Sequence, residues 1–363
     1  MLDSNNNDQM FPTLVVGSLP REEWVLDVIK SRNSHDLSSE EADRLLDGAV
    51  LSAIKMQESA GLDYVSDGEW RRNSYLDTFF DNVCGYEPDL IPPNPFSSGP
   101  VPAIVSKIVQ QRSLTTDDAR FLEANANGKT IATLPGPATV GGKMWSPEHS
   151  TSVYSSPEEA METCIPIING EIKKLSRLGI DLVQIDEPWL GDVINPRYRE
   201  FHGIEDMDRE LDLYVNGVNG AVEGIEEVSL SLHVCGHTSI TNQDTDQCQF
   251  DSLFETLSRT NVHRLTIAFA GPHRDGVRWL KNFPEDKIVG LGVVSTIKKG
   301  IDSPDDIVER VERAMEYIPK ERITLNPECG FAPSTRNRPD LDEVYIKLKT
   351  MCLAAEILRE KYA

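Results

Sequence analysis

The chain has 363 residues, 39% hydrophobic and 26% charged, which suits one large or two ordinary soluble globular domains. Its formal net charge of −23 argues against nucleic acid or an anionic membrane as partner, because phosphate groups are met by clustered Lys and Arg; solubility or a salt-tolerant host accounts for it. No run approaches a membrane span, and the start MLDSNNNDQMFP has no basic-then-apolar leader pattern.

Residues 1–12 therefore read as a disordered or frayed polar lead. The first short β-branched run is TLVVGS (13–18). EEADRLLDGAVLSAIKMQESAG follows with helical periodicity and leads into DYVSDG (63–68). Residues 84–105, CGYEPDLIPPNPFSSGPVPAIV, are too rich in Pro, Gly and Ser for a crossover helix and read as an inserted loop or hairpin on the functional side of the fold. IATLPGP (131–137) comes next, then SPEEAMETCIPIINGEIKKLSRLG, whose Ser-Pro start before acidic residues is a helix N-terminal signal. DLVQIDEP (181–188), EVSLSLHVC (227–235), HRLTIAFA (263–270) and KIVGLGVV (287–294) continue the series. The helical SPDDIVERVERAMEYIP then precedes RITLNPEC (322–329), and LDEVYIKLKTMCLAAEILREKYA closes the chain.

Near-continuous apolar runs are expected of strands buried on both faces. Eight of them, largely alternating with helices, predict an α/β fold: a single (β/α)8 TIM barrel over 13–363 with the insertion near 84–105. A doubly wound open sheet is the rival, and the absence of a GxGxxG turn after any run weighs against it.

In such a barrel the C-terminal strand ends carry the chemistry. Here they hold Gly17-Ser18, Gly68-Glu69, Gly136-Pro137, Asp186-Glu187, His233 and Cys235, Ser295, and Glu328-Cys329. His233 and Cys235 are two apart and point to one side of their strand, while Cys329 ends the last run. One imidazole and two thiolates suit zinc (Zn2+), and three protein ligands leave a position open, the mark of a catalytic site. A cysteine nucleophile with a histidine base, or ordinary packing, are the alternatives. His237 faces the same way as His233 if the strand continues, which makes it a candidate fourth ligand, although Gly236 signals a turn. The remaining cysteines, Cys84, Cys164, Cys248 and Cys352, read as packing or surface thiols in a reducing cytoplasm.

VVGSLPR, SDGEWRR, LPGPATVGGKMWS, VQIDEPWL, HVC and LNPECGF, in this order, resemble the cobalamin-independent methionine synthase family. The likeness is to its C-terminal catalytic barrel and the short stand-alone, archaeal-type homologues of it, and it runs from about Thr13 to the end. At this length the family's N-terminal barrel, which helps bind the folate, is expected to be absent. The resemblance implies zinc on His233, Cys235 and Cys329, homocysteine as the thiol substrate, Ser18 at its carboxylate, and Glu69 and Asp186 at its ammonium. It implies a cytoplasmic methyltransferase of methionine biosynthesis whose donor is a methyl-corrinoid protein or methyltetrahydrofolate, with a homodimer as the assembly to consider. Two departures stand out. Ala268 replaces a glutamate that approaches zinc in full-length enzymes, and Ser295 and Ile297 replace an aspartate and a proton-donating histidine. Similar His-x-Cys…Cys sets serve coenzyme M transferases, so coenzyme M is the alternative thiol. Glu69 and Asp186 would repel its sulfonate, whereas Arg71, Arg72 and Lys143 lie near enough in sequence to reverse that argument. A catalytically inactive corrinoid-protein partner is the alternative from another class.

Overall fold

The apolar runs become seven parallel strands of one sheet in the computed structural model, which describes residues 10–93, 100–235, 250–296, 300–332 and 339–363. The strands are β1 (Tyr64–Val65), β4 (Lys129–Pro135), β5 (Leu182–Asp186), β6 (Ser229–Val234), β7 (Arg264–Ala268), β8 (Ile288–Val294) and β9 (Ile323–Pro327), paired in that order. The first run is the eighth stave, and only its start pairs. Thr13 bridges Leu325 in parallel. Leu14 N–H donates to Leu325 O (3.0 Å) and Leu325 N–H to Pro12 O (2.8 Å), while Tyr64 N–H donates to Thr13 O (3.0 Å). The ring is thereby closed between β9 and β1. Beyond Leu14 the run leaves the ladder, and Val16 O is taken inside the barrel by the Gln184 side-chain amide at 2.6 Å.

Helices stand before the strands as the periodicity predicts, among them Ser39–Ala60, Pro157–Leu178 and Pro304–Met315, with Leu341–Tyr362 last. Their ends follow local chemistry. Ser38 and Glu41 form a reciprocal capping box, as do Ser303 and Asp306, and Gly61 (φ 93°) and Gly179 (φ 94°) terminate helices in the left-handed region. No helix among the described residues is long and apolar enough to cross a membrane. At the N-terminal end of the barrel interior Leu14, Ile131 and Leu182 pack with Tyr64 into a small apolar plug. Gln184, Ser231, Thr266 and Asn326 are buried further along the same strands, so the barrel axis turns polar toward the C-terminal ends.

The insertion is a hairpin, β2 (Val83–Ile91) against β3 (Val101–Gln110), antiparallel with register shifts. It is longer than the 84–105 stretch, because flanking residues with ordinary β-formers extend both strands. Ile104 N–H donates to Met144 O (2.9 Å), and Ile108 N–H to Tyr154 Oη (2.9 Å). These bonds fasten it to the segment after β4, on the C-terminal side of the sheet. Cys84 is exposed on this hairpin, not in a loop, while Cys164 and Cys352 are buried in helices. Residues 1–9, Cys248, His237 and Ile297 lie outside the described residues. Phe11, within the segment expected to fray, is fully buried.

Candidate active site

Alternation along β6 turns Ser231 and His233 to the barrel interior, and Cys235 follows just past the strand. Cys329 comes from the loop after β9. The ligand atoms of His233, Cys235 and Cys329 lie within 4.8 Å of one another, the only such group of three among the described residues. The two sulfurs are 3.7 Å apart. Gly292 on the intervening β8 allows this convergence, since a Cβ there would stand 2.9 Å from Ala268 Cα and 3.0 Å from Glu328 Cα. His233 Nδ1 lies 3.3 Å from Thr266 O, to which only the Nδ1–H tautomer can donate. Nε2 is buried and makes no hydrogen bond to nitrogen or oxygen, which leaves it available beside the two sulfurs. A fixed tautomer with an orphaned nitrogen beside two thiols is the donor set a soft divalent metal requires. The Cys329 thiol is held well below the usual range, chiefly by the hydrogen bond from Cys235 and also by His233, against the cost of burial.

Ala268 stands at the end of β7, buried, with no oxygen to offer. Glu328 does not take the missing role: its Oε1 accepts Ala270 N–H at 3.1 Å. Burial pushes its carboxyl up to about 7, against a Ser295 hydrogen bond. It thus ties the ends of β7, β8 and β9 together behind Cys329.

The other sequence candidates gather beside this group. Ser18 O accepts Phe331 N–H (2.8 Å) and Ala332 N–H (3.2 Å). A Cβ on Gly330 would come within 2.9 Å of Ser18 Oγ, so only glycine lets the loop after Cys329 lie against Ser18. Glu69 has a left-handed backbone (φ 59°), unusual for a residue with a side chain. Arg21 holds its carbonyl through Nε (3.1 Å) and Nη2 (2.7 Å), and Asp67 Oδ1 accepts its N–H at 3.0 Å. Its Oε1 accepts Thr133 Oγ1 at 3.1 Å, while Oε2 is buried without a partner. Burial raises its pKa, against the pull of Arg72 and Arg21. Asp186 accepts Gln184 Nε2 at 2.8 Å. Burial pushes it up to about 8, His233 opposing and Glu69 adding to the rise. Two buried carboxyls within electrostatic reach of each other, Glu69 with an unpartnered oxygen, could form a clamp for a cation such as an ammonium, which would favour their ionised forms.

Glu187 serves differently from its neighbour. Its Oε1 accepts Ala138 N–H (2.9 Å), and its Oε2 accepts Thr139 N–H (2.9 Å) and Oγ1 (2.7 Å). It caps the turn after β4 and does not face the clamp. The cations are engaged as well. Arg71 meets Asp47 (2.5 Å) and Asp118 (3.2 Å), and Lys143 meets Glu210 (2.9 Å). Arg72 lies between Asp67 (3.4 Å), Asp118 (3.6 Å) and Glu69 (3.7 Å). Sequence reasoning missed Arg21, Thr133, Gln184 and Tyr75. The last lies in a loop with no periodicity to single it out, yet the charged groups acting on its hydroxyl are Asp186, Glu187, Cys235 and Cys329; burial first, then these, raise its pKa well above the phenol range.

A family model described as "Cobalamin-independent synthase, Catalytic domain" matches residues 11–357. Methionine synthases of Sulfurisphaera tokodaii and Thermococcus kodakarensis are 25% and 27% identical to this chain, covering 97% and 98% of it and 94% and 95% of their own lengths. A solved B12-independent methionine synthase from Shewanella sp. W3-18-1, in complex with selenomethionine, superposes with a TM-score of 0.78 at 22% identity, over 97% of this chain and 98% of that one. A methyltransferase from Methanosarcina mazei gives a TM-score of 0.56 at 14% identity, over 98% and 95%. At these identities the structural likenesses speak for the fold.

Proposed function

Because the chain belongs to the cobalamin-independent methionine synthase family by its catalytic domain, we propose that it is a zinc-dependent methyltransferase that converts homocysteine to methionine. The observation that carries this is the convergence of His233, Cys235 and Cys329 within 4.8 Å beside the Glu69–Asp186 clamp. Zinc, held by those three side chains, would supply a Lewis acid that lowers the pKa of a substrate thiol. The protein does the rest. Glu69 and Asp186 hold the ammonium, and Ser18 receives the carboxylate. His233 is kept in one tautomer by Thr266 O, and the recessed β8 brings Cys329 to the other donors.

A methyl-corrinoid protein is the favoured donor. A methyltetrahydrofolate leaving group needs a proton, and the position of the family's acid histidine is Ile297, with Ser295 at that of its aspartate. A corrinoid leaves as the reduced metal and needs no such acid. Homocysteine is favoured over coenzyme M because Arg71 and Lys143 are already paired with carboxylates, and two acids face the position a sulfonate would occupy.

The test incubates zinc-loaded protein with homocysteine or coenzyme M and offers methylcobalamin or methyltetrahydrofolate. Methionine formed from homocysteine and methylcobalamin is the expected product. Product from coenzyme M alone would overturn the substrate assignment, and absence of turnover with every pair would favour an inactive partner of a corrinoid protein. In parallel, Cys329→Ser is expected to lose most bound zinc by metal analysis; full retention would sink the ligand assignment.

A further inference from the structure

Arg21 and Glu69 are both buried and belong to neighbouring staves, Arg21 to the segment after the first run and Glu69 to the turn after β1. The guanidinium turns to the backbone of its neighbour. Nε and Nη2 both donate to Glu69 O, at 3.1 Å and 2.7 Å, and Leu19 N–H donates to Gly68 O at 3.1 Å. The two segments are thus fastened at successive carbonyls. The turn needs fastening, because Gly68 (φ 66°) and Glu69 (φ 59°) are both left-handed and only the first is a glycine. A side chain on such a backbone is strained and relaxes unless its surroundings hold it. The strained backbone aims the carboxylate. Oε1 accepts Thr133 Oγ1 at 3.1 Å and lies so near Gly17 that a Cβ there would stand 3.2 Å from it. Oε2 is buried without a hydrogen-bond partner. The acid is therefore set beside Gly17, one residue from Ser18, and Ser18 O is itself pinned by the N–H groups of Phe331 and Ala332.

We propose that Arg21 is a positioning residue for substrate recognition: by fastening the Glu69 carbonyl to the segment that carries Ser18, it fixes the spacing between the groups that receive ammonium and carboxylate, and so makes the site selective for an α-amino acid head group. This rests on the reading of Ser18 and Glu69 as head-group contacts of homocysteine. The two charges of an α-amino acid leave one carbon, so their receivers must be held a fixed few ångströms apart. Without the guanidinium, Glu69 relaxes toward an ordinary negative φ, and its Cβ swings the carboxylate away from Thr133 and Gly17. The carboxylate receiver at Ser18 stays, because Phe331 and Ala332 hold it from the other side. Arginine suits this place better than lysine, since its planar fork puts two donors on one oxygen where an ammonium puts one. Both donors are taken by the backbone, so Arg21 acts through Glu69 and not on the substrate.

The test compares calorimetric binding of homocysteine with that of 4-mercaptobutyrate, which keeps the thiol and the carboxylate and lacks the amine. The proteins are zinc-loaded wild type, Arg21→Met, Arg21→Lys, Glu69→Gln and the Arg21→Met/Glu69→Gln double variant, with zinc content and circular dichroism measured on each. Arg21→Met is expected to raise homocysteine Kd about tenfold to thirtyfold, and that of 4-mercaptobutyrate by less than about twofold. Arg21→Lys keeps one donor and is expected to raise homocysteine Kd only about threefold to fivefold; it carries the test if Arg21→Met does not fold. In the Glu69→Gln background Arg21→Met is expected to add less than about twofold, because the group it positions is already gone. In turnover, KM is expected to rise more than kcat falls. Equal losses for the two thiols, losses that track zinc content, or full additivity with Glu69→Gln would reduce Arg21 to a structural residue and overturn the proposal. Unchanged homocysteine affinity in Arg21→Met would overturn it too, leaving the head-group reading intact if Glu69→Gln still weakens binding. A wild type that binds homocysteine no better than 4-mercaptobutyrate would instead overturn the head-group reading, and the role of Arg21 with it.

Discussion

Asp186 is a carboxyl whose environment opposes its charge. Its folded pKa is pushed from 3.8 up to about 8 by burial, so between those values the folded chain keeps a proton that the unfolded chain has released. Stability from this group is therefore complete below about pH 4 and declines as pH rises toward 8. Metal-free protein is expected to melt at progressively lower temperature across that window, and Asp186→Asn to melt with a flatter pH dependence. Equal slopes in the two proteins, read by differential scanning calorimetry, would contradict this. Glu187 and Glu328, both pushed up to about 7, keep part of the slope in the variant. At this scale the sequence was readable where spacing carries direction. His233 and Cys235 share a strand side because side chains alternate, and Cys329 closely follows a strand whose terminus faces the same mouth. Glu187 was legible as a strand-end acid, with a cap as the alternative reading, but the turn it caps was not, since the N–H groups it serves belong to another strand's loop.

Among the elements, the turn after β4 shows how one residue's smallness supports another's charge. A Cβ on Gly136 would overlap the Glu187 carboxylate and come within 2.6 Å of its Cγ. The carboxylate cannot swing aside without releasing its bonds to Ala138 and to the N–H and hydroxyl of Thr139. Gly136→Ala is therefore expected to destabilise the protein by about 3 kcal/mol or more, by overpacking plus unmade hydrogen bonds to a charged group. Denaturant unfolding would reveal it, and a change under 1 kcal/mol would show the turn to be more yielding than these bonds imply. The helices were the most legible elements: Ser38-x-x-Glu41 and Ser303-Pro304 announce their starts, and Gly61 and Gly179 their stops. The insertion was legible as a loop or hairpin, but the pairing of its strands was not. Its strands carry Pro and Gly and find their pairing across a connection of their own, where no local period records it.

For the whole molecule the decisive joint is the seam at the first stave. Asp63 Oδ2 accepts Thr13 N–H (2.7 Å), Thr13 Oγ1 (2.8 Å) and Arg359 Nη2 (2.6 Å). Arg359 also donates to Met10 O (2.8 Å) and Phe11 O (3.1 Å). One carboxylate thus ties the first run, β1 and the last helix. Asp63→Ala is expected to cost about 2 to 3 kcal/mol, as loss of charge-assisted bonds at a half-buried site. Faster amide exchange at residues 13–16 is expected with it. Exchange unchanged there would mean the ladder bonds to Leu325 and Tyr64 suffice to close the ring. Eight runs in alternation with helices made the barrel legible. The seam was not, because a stave that pairs through two or three residues looks in sequence like any other apolar run.

The closure of this ring by its two ends also fixes an order of events during synthesis. His233 and Cys235 leave the ribosome well before Cys329, which follows Cys235 by 94 residues, and until β9 emerges the stave at Thr13 has no partner on that side. A nascent or truncated chain can present two of the three proposed metal donors, and its Ser18 has no Phe331 and Ala332 to hold it. Under the proposed ligand set, firm capture of a metal would be an act of the finished chain, and retained zinc would serve as a readout that the last strand has docked.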